Sequence, residues 1–486
     1  MNVDVKKQLD RMCNPRGIAI FGGVGKIGAF ANLILMSHLM YGYKGNIYPI
    51  SPNGGEVFGL NIYRRLKDVD GPVDLASVSV PAKAVLEVLN DCLEFGVTGA
   101  QVHTAGFGEI GSSEGKALQK EIEQTAGKGL KIIGPNCFGI HCPQGRITLL
   151  PGFDYSKEPG NVAMISQSGG LANDFTHEAI SAGLKISKVF SYGNGCDLEA
   201  AQLLQYLCDD PETDYIAAYI EGVKNGRSFL NTLKKTSSKK PVVVWKGGLT
   251  PLGNRATMSH TGSLGGEGKI WAGALSQAGA IAVQGLEDVI DTLTALTFLK
   301  NKGKRIALAG GGGAIGVFCS DLAYQFELEI PPFSQKTQNR LMELFPTPGN
   351  SVVNPLDTGT PSLPIEIFGP QIKEILLNEP IDILILIMLL HPLEVLPKAT
   401  SDMLGLDPPE KGAYLEALLE IIAPVKQASG KDIVLVLENR AHRIEDADVE
   451  YTARMIKKKY HENGIPVYPN VSRALKGIRS ANTWRR

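Results

Sequence analysis

Short runs of apolar, often β-branched residues end in glycine along this chain, and each is followed by a stretch whose apolar positions recur every three or four residues. GIAIFGG (17–23) leads into GKIGAFANLILMSHLM, GNVAMISQSGG (160–170) into LANDFTHEAISAG, and KRIALAGGGG (304–313) into AIGVFCSDLAYQF. An uninterrupted apolar run suits a strand covered on both faces, and the three-to-four spacing suits an amphipathic helix. The alternation predicts parallel sheets with helices on both sides. The longest apolar run, ILILIMLL (383–390), lies between Asp382 and His391. It is far short of the roughly 20 residues that cross a bilayer and predicts a buried strand.

The pattern restarts after two polar or proline-bearing breaks, PGFDYSKEPG (151–160) and LKNKGKR (299–305). With 486 residues, too many for one core, this predicts three α/β domains at 1–150, 151–300 and 301–486. Charges almost cancel, 49 basic against 50 acidic, which excludes an electrostatic grip on nucleic acid or an anionic membrane. The opening MNVDVKKQLDRMCNPRG has no apolar signal core, and seven cysteines lie scattered without a pattern. Free thiols in a reducing cytoplasm are the expectation. Cys137, His141 and Cys142 lie close together, but no second ligand pair accompanies them, so no metal site is expected.

Candidate chemistry gathers where strands end. In wound α/β sheets, ligands lie beyond the carboxyl ends of strands, where helix N-termini offer amides and a positive dipole end. The first loop, Gly22-Gly23-Val24-Gly25-Lys26-Ile27-Gly28, has Rossmann-like character. The acidic residue that would hold a ribose is absent, Ser51, Pro52 and Asn53 standing in its place. That disfavours a nicotinamide nucleotide and leaves another phosphate-bearing ligand open. The second loop, Ser166-Gln167-Ser168-Gly169-Gly170, sets hydroxyls and glycines at a helix start, with Ser168 equally readable as an N-cap. The third, Gly310-Gly311-Gly312-Gly313, spends chain entropy that a purely structural turn would not need.

His260 lies in MSHTGSLGG (258–266), after the strand PVVVWKGG (241–248) and before a helix expected near Gly266. Its small and hydroxylated neighbours predict a strand-end loop with room around the imidazole. Glu221 closes another strand, DYIAAYIEG, where a carboxylate can fix a histidine tautomer or remain a plain loop residue. There is no Ser-nucleophile elbow, no P-loop lysine motif and no ATP site to be seen. The residues alone describe an anion-handling α/β protein whose His260 reads either as a nucleophile or base or as a structural or surface histidine.

PVDLASVSVPAKAV, TAGFGE, IGPNCFGI, GNVAMISQSGGLA, SYGNGCDLEAAQLLQYLCDDPETDYIAAYIEG, ATMSHTGSLGG and NPLDTGT occur in that order. On these segments the chain resembles the nucleoside-diphosphate-forming acyl-CoA synthetases of the acetate–CoA ligase alpha-subunit type, relatives of succinyl-CoA synthetase. The resemblance implies a Rossmann-like CoA-binding domain followed by two flavodoxin-like parallel-sheet domains. It implies that His260 is transiently phosphorylated and that Glu221 orients it. Coenzyme A would be held by Gly22, Gly23, Val24, Gly25, Lys26, Ile27, Ser51, Asn53, Pro81, Thr104, Ala105, Gly106, Asn136 and Cys137. Phosphate would lie at Ser166, Ser168, Gly169 and Gly170 and at Gly311, Gly312 and Gly313, each helix end contributing ~1–2 kcal/mol in favourable geometry. Asn173 and the loop 193–197 are candidates to line the pocket for a small carboxylic acid.

Three departures qualify what the resemblance implies. Ser51-Pro52-Asn53 replaces the Asn-Pro-Lys of many relatives, removing a lysine from the expected coenzyme A site. The first glycine loop is shorter than in typical ADP-forming acetate synthetases. The chain also has no ATP-grasp module, so ADP or ATP and Mg are expected on a separate beta subunit. The competing readings are a non-catalytic CoA-binding scaffold and a nucleotide-free acyl- or carbamoyl-transferase of the same fold.

Overall fold

Five strands, β1 (Gly17–Phe21), β2 (Asn46–Ile50), β3 (Leu75–Val78), β4 (Gly99–Val102) and β5 (Lys131–Ile133), form the first sheet in a computed structural model of the chain. The structure describes residues 3–261, 267–301, 303–344, 351–360 and 363–484, with backbone alone at 258–261. The strands pair in parallel in the order β2-β1-β3-β4-β5. Every residue of β1, β3 and β4 is buried, which is why these runs read as apolar throughout instead of alternating.

The second sheet takes β6 (Gly139–His141), β7 (Val162–Ser166), β8 (Ile186–Ser191), β9 (Tyr215–Ile220), β10 (Val242–Lys246) and β11 (Ile281–Val283). Its order is β11-β10-β9-β7-β8-β6, parallel throughout except for β6, which lies antiparallel on β8. The third sheet, β12 (Ile306–Gly310), β13 (Ile383–Leu389), β14 (Asp432–Glu438) and β15 (Val467–Tyr468), is parallel in chain order. The apolar run after Asp382 is thus an interior strand of that sheet, as its pattern predicts.

The described chain falls into two compact units, one running to Ile290 and taking in Trp484, the other Asp291–Thr483. In the first unit a single apolar cluster draws on both sheets, including Ile18 and Ile20 of β1, Ile165 of β7 and Phe190 of β8. Trp484 is tied to it by its indole N–H, which donates to the Ser237 carbonyl at 2.8 Å. In the second unit β12 to β14 are buried between two clusters, one centred on Phe368, Ile372 and Leu418 and the other on Ala474, Leu475 and Ile478. No described helix is long and apolar enough to cross a membrane.

One expectation is corrected. The segment preceding His260 is a helix, Pro251–Thr261, not an open loop, and His260 lies in its last turn. Pro251 occupies the first helical position, where its missing N–H costs nothing, and the Thr250 hydroxyl accepts the Gly253 N–H at 3.0 Å. Because this helix carries no apolar stripe, its small and polar residues read as a loop. Gly262 to Gly266, the rest of the glycine- and serine-containing segment, lie outside the described residues.

Candidate functional site

A parallel sheet ordered 2-1-3-4-5 reverses direction once, and the loops leaving the two strands on either side diverge there to open a crevice. In the first sheet these strands are β1 and β3. The loop after β1 has Gly22, Gly25 and Gly28 at positive φ (150°, 84° and 77°), which glycine alone adopts without strain. A Cβ on Gly22 would stand 2.6 Å from Ser79 Oγ, so the bare backbone of Gly22 lies against the serine side chain just past β3. Asn32 pins the loop: its Oδ1 accepts the Gly25 N–H at 2.9 Å and its amide donates to the Lys26 carbonyl. Lys26 and Ile27 are left exposed above it. The helices Phe30–Tyr41 and Ala82–Phe95 start here, behind Ala29 and Pro81, and neither has a side-chain cap on its first amides.

The other residues expected around coenzyme A divide by what their side chains do. Pro81, Ala105 and Asn53 are exposed, and Gly23 and Gly106 are half-buried. Thr104 donates its hydroxyl to the Val80 carbonyl at 2.6 Å. Val24 and Ser51 are buried. Cys137 is also buried, its thiol donating to the Val102 carbonyl at 3.2 Å and pushed up to about 12 by desolvation. Its side chain belongs to the core. Asn136, beside it, takes a positive φ of 58°.

The second sheet reverses between β7 and β9. Ser168 caps the helix Gly169–Ser181 by accepting the Leu171 N–H at 3.3 Å, while the buried Ser166 hydroxyl donates to the Ser168 carbonyl at 2.7 Å. Gln167 reaches across the crevice, its Oε1 accepting the N–H groups of Glu221 and of Gly222, the latter at 2.9 Å. Glu221 is thereby fixed by its own backbone, and at 5% exposure it is no solvated loop residue. Its Oε1 accepts the Tyr219 hydroxyl at 3.0 Å, whereas Oε2, equally buried, has no hydrogen-bond partner among the described residues. The next strand, β10, ends in Lys246 and leads through Gly247-Gly248 into the helix that carries His260.

The two sheets of this unit are joined at the segment after β5. The segment after β5 crosses to the second sheet: Asn194 N–H donates to the Pro135 carbonyl at 3.0 Å, and Phe138 N–H to Ser191 Oγ at 2.9 Å. A Cβ on Gly169 would strike the Phe138 ring at 2.6 Å, so Asn136 to Phe138 rest on the N-terminus of the helix that Ser168 caps. Asn173 accepts from Tyr155 at 2.8 Å and donates to the Leu150 carbonyl at 2.7 Å. Asn194 donates to Glu109 and Gln119, and Asp197 accepts from Lys131 at 3.1 Å. These polar groups knit the two sheets together, and Asn194 keeps its buried Oδ1 without a hydrogen-bond partner among the described residues.

Gly311, Gly312 and Gly313 lie in the second unit, after β12. Gly312 caps the helix Gly313–Gln325 without a side chain, and a Cβ on Gly310 would stand 2.4 Å from the Ile387 carbonyl. Among the described residues no group of three or more His, Cys, Asp and Glu is placed to hold a metal ion.

Sequence reasoning passed over Gln167, Tyr219 and Lys246. Gln167 stood inside a quoted loop, and a glutamine between two serines at a strand end is the signal that was available. Gln167→Leu leaves two buried N–H groups without an acceptor, at about 1–3 kcal/mol each. A lowered unfolding midpoint in a thermal melt is expected, together with a displaced Glu221; an unchanged midpoint would mean the glutamine carries no such weight.

Two family models match this arrangement. The CoA binding domain covers residues 16–143 and the succinyl-CoA ligase-like flavodoxin domain covers 159–296. A coenzyme A-binding sheet followed by a succinyl-CoA ligase-like sheet defines an acid–CoA ligase. The chain is 35% identical to the alpha subunit of acetate–CoA ligase (ADP-forming) II of Pyrococcus furiosus, over 95% of this chain and 94% of that one. It is 31% identical to the alpha subunit of ligase I of the same organism, over 98% and 97%. A solved acetyl-coenzyme A synthetase 1 of Ca. Korarchaeum cryptofilum, in complex with phosphate and ADP, superposes with a TM-score of 0.80 at 28% identity, covering 98% of this chain and 96% of that one. The chain belongs to the family of ADP-forming acetate–CoA ligase alpha subunits.

Proposed function

We propose that the chain is the coenzyme A-binding, phosphohistidine-carrying subunit of an ADP-forming acyl-CoA synthetase, with His260 the residue phosphorylated and Glu221 the carboxylate that orients it. The observation that carries this reading is Glu221 itself. It is buried at the reversal point of the second sheet, held by Gln167, with one oxygen unpartnered among the described residues, at the end of the strand beside the one that leads to His260. A buried carboxylate oxygen without a donor is costly unless an imidazole or another donor serves it during the reaction.

Coenzyme A fits the first crevice. Its phosphates would lie against the Gly22–Gly28 turn and Lys26, with the uncapped starts of two helices facing them. In the acid-forming direction, phosphate attacks the acyl carbonyl of the thioester and the thiol of coenzyme A departs, leaving an acyl phosphate. An imidazole nitrogen of His260 then takes the phosphoryl group and releases the carboxylate. Phosphohistidine finally passes the group to ADP. Backbone amides and the dipole end at Ser168-Gly169-Gly170 supply a fixed positive end for the phosphoryl oxygens.

ADP, ATP and Mg are assigned to an ATP-grasp beta subunit. In support, this chain matches only 49% of the length of the acetate–CoA ligase (ADP-forming) of Methanocaldococcus jannaschii, to which it is 36% identical over 72% of its own. The acid is a small carboxylate, acetate being the one named for the two Pyrococcus furiosus alpha subunits. All seven cysteines are free and buried, which fits a reducing cytoplasm. The test is reconstitution: with an ATP-grasp subunit from the same genome, acetyl-CoA, phosphate and ADP are expected to yield ATP and free thiol in equal amounts. Thiol release without ATP would favour a nucleotide-free transferase, and binding of coenzyme A with neither product would favour a scaffold.

A further inference from the structure

The chain leaves β2 through Ser51-Pro52-Asn53, with no acid there and without the lysine that many relatives carry. In a Rossmann-like sheet this is where the ribose of a bound nucleotide lies, held by an acidic residue or, when the ribose bears a phosphate, by a nearby arginine. The Gly54 N–H closes the turn by donating to the Ser51 carbonyl at 3.0 Å. A two-stranded hairpin follows, Gly55–Val57 and Leu60–Ile62, and brings the chain back beside the end of β2. Tyr63 docks there: its N–H donates to the Pro49 carbonyl and its carbonyl accepts the Ser51 N–H, both at 2.9 Å. Arg64 is the next residue.

Two close approaches fix where this returning segment lies. A Cβ on Gly25 would stand 3.3 Å from Ile62 Cδ1, so the segment packs on the glycine loop after β1. A Cβ on Gly54 would stand 3.3 Å from Arg64 Nε and 3.5 Å from its Cγ, so the arginine runs along the bare backbone of the turn that ends β2. Gly54 has a φ of 62°, so the turn and the close approach both call for glycine. Arg64 is exposed, and among the described residues its guanidinium makes no ion pair and no hydrogen bond. Arg16 and Arg305, by contrast, are each forked onto an aspartate.

We propose that Arg64 reads the ribose 3′-phosphate of coenzyme A, making that phosphate a requirement for tight binding. This rests on the coenzyme A reading of the first crevice and names the residue at its ribose end. The 3′-phosphate is a monoester, largely a dianion at neutral pH, and a planar guanidinium matches two of its oxygens in a fork. Asn53, exposed in the same turn, stands where an acidic residue would repel that dianion. Lys26, exposed on the glycine loop, is left to the diphosphate beside the two uncapped helix starts. The cation missing after Pro52 is thus supplied in space from the far side of the hairpin.

The experiment is calorimetric titration of the full chain with coenzyme A and with 3′-dephospho-coenzyme A, in wild type, Arg64→Ala, Arg64→Lys and Lys26→Ala. Wild type is expected to bind the dephospho form about tenfold more weakly. Arg64→Ala is expected to bind both forms alike, at the affinity wild type has for the dephospho form. Arg64→Lys, which keeps the charge and loses the fork, is expected to fall between. Lys26→Ala is expected to weaken both forms by the same factor, because both carry the diphosphate. Equal binding of the two forms by wild type would overturn the proposal, as would discrimination that Arg64→Ala keeps or that Lys26→Ala removes. A wild-type chain that binds neither form would instead overturn the coenzyme A reading on which the proposal rests.

Discussion

His260→Ala is expected to abolish acid-labile phosphorylation of this chain, by at least about a thousandfold, because it removes the imidazole proposed to accept the group. Nothing in the local backbone opposes the change. His260 is in the last turn of the helix Pro251–Thr261, and alanine is the residue a helix tolerates best. The loops that fit coenzyme A leave β1 and β3 of the other sheet, so its affinity is expected to stay within about twofold, as for changes at independent sites. Radiolabel stability in acid and base, read beside a calorimetric titration with coenzyme A, separates the two quantities. Parallel loss of both would make His260 a structural residue.

The parts of the fold that were legible in the sequence are those where a single stretch carries its own pattern. Val162–Ser166 is buried at every position because helices cover both faces of a parallel sheet, and so it reads as an unbroken apolar run. The same holds for β1, and for β13 up to its last residue, Leu389, which is half-buried. The helix before His260 was missed because its start is set by Thr250 and Pro251 and not by an apolar stripe. Gly139–His141, three residues joining antiparallel to β8, is too short to carry a period at all.

The site was legible to a different depth. Glycine turns and the Ser168 cap are local chemistry, visible as residue types at strand ends. Burial is not local. Glu221 and Lys246 look like solvated charges that close apolar strands, and they are buried only because β9 and β10 pair side by side in the interior of the sheet, with Trp271 over the lysine. The same pairing explains why Gln167 matters. Its neighbour across the crevice is 54 residues away in the chain, and only the strand order that sets β7 beside β9 brings them together.

Glu221→Gln is the sharpest probe of that crevice. Glutamine keeps the volume and an oxygen for the Tyr219 hydroxyl, and the backbone N–H groups of 221 and 222 still reach Gln167, so folding and the melting midpoint are expected to survive. What changes is charge and polarity. The oxygen without a partner among the described residues becomes an amide, which donates where, on the proposed mechanism, the imidazole N–H needs an acceptor. Loss of the tautomer-fixing carboxylate in a catalytic histidine pair is costly even when geometry is preserved. Histidine phosphorylation is therefore expected to slow by at least about a hundredfold, with coenzyme A affinity unchanged. Rapid-quench measurement of the labelled chain reads the step directly. A Glu221→Gln rate equal to wild type would take Glu221 out of the mechanism. A slowed rate with an intact melt would place its effect in the charge, since shape and fold are kept.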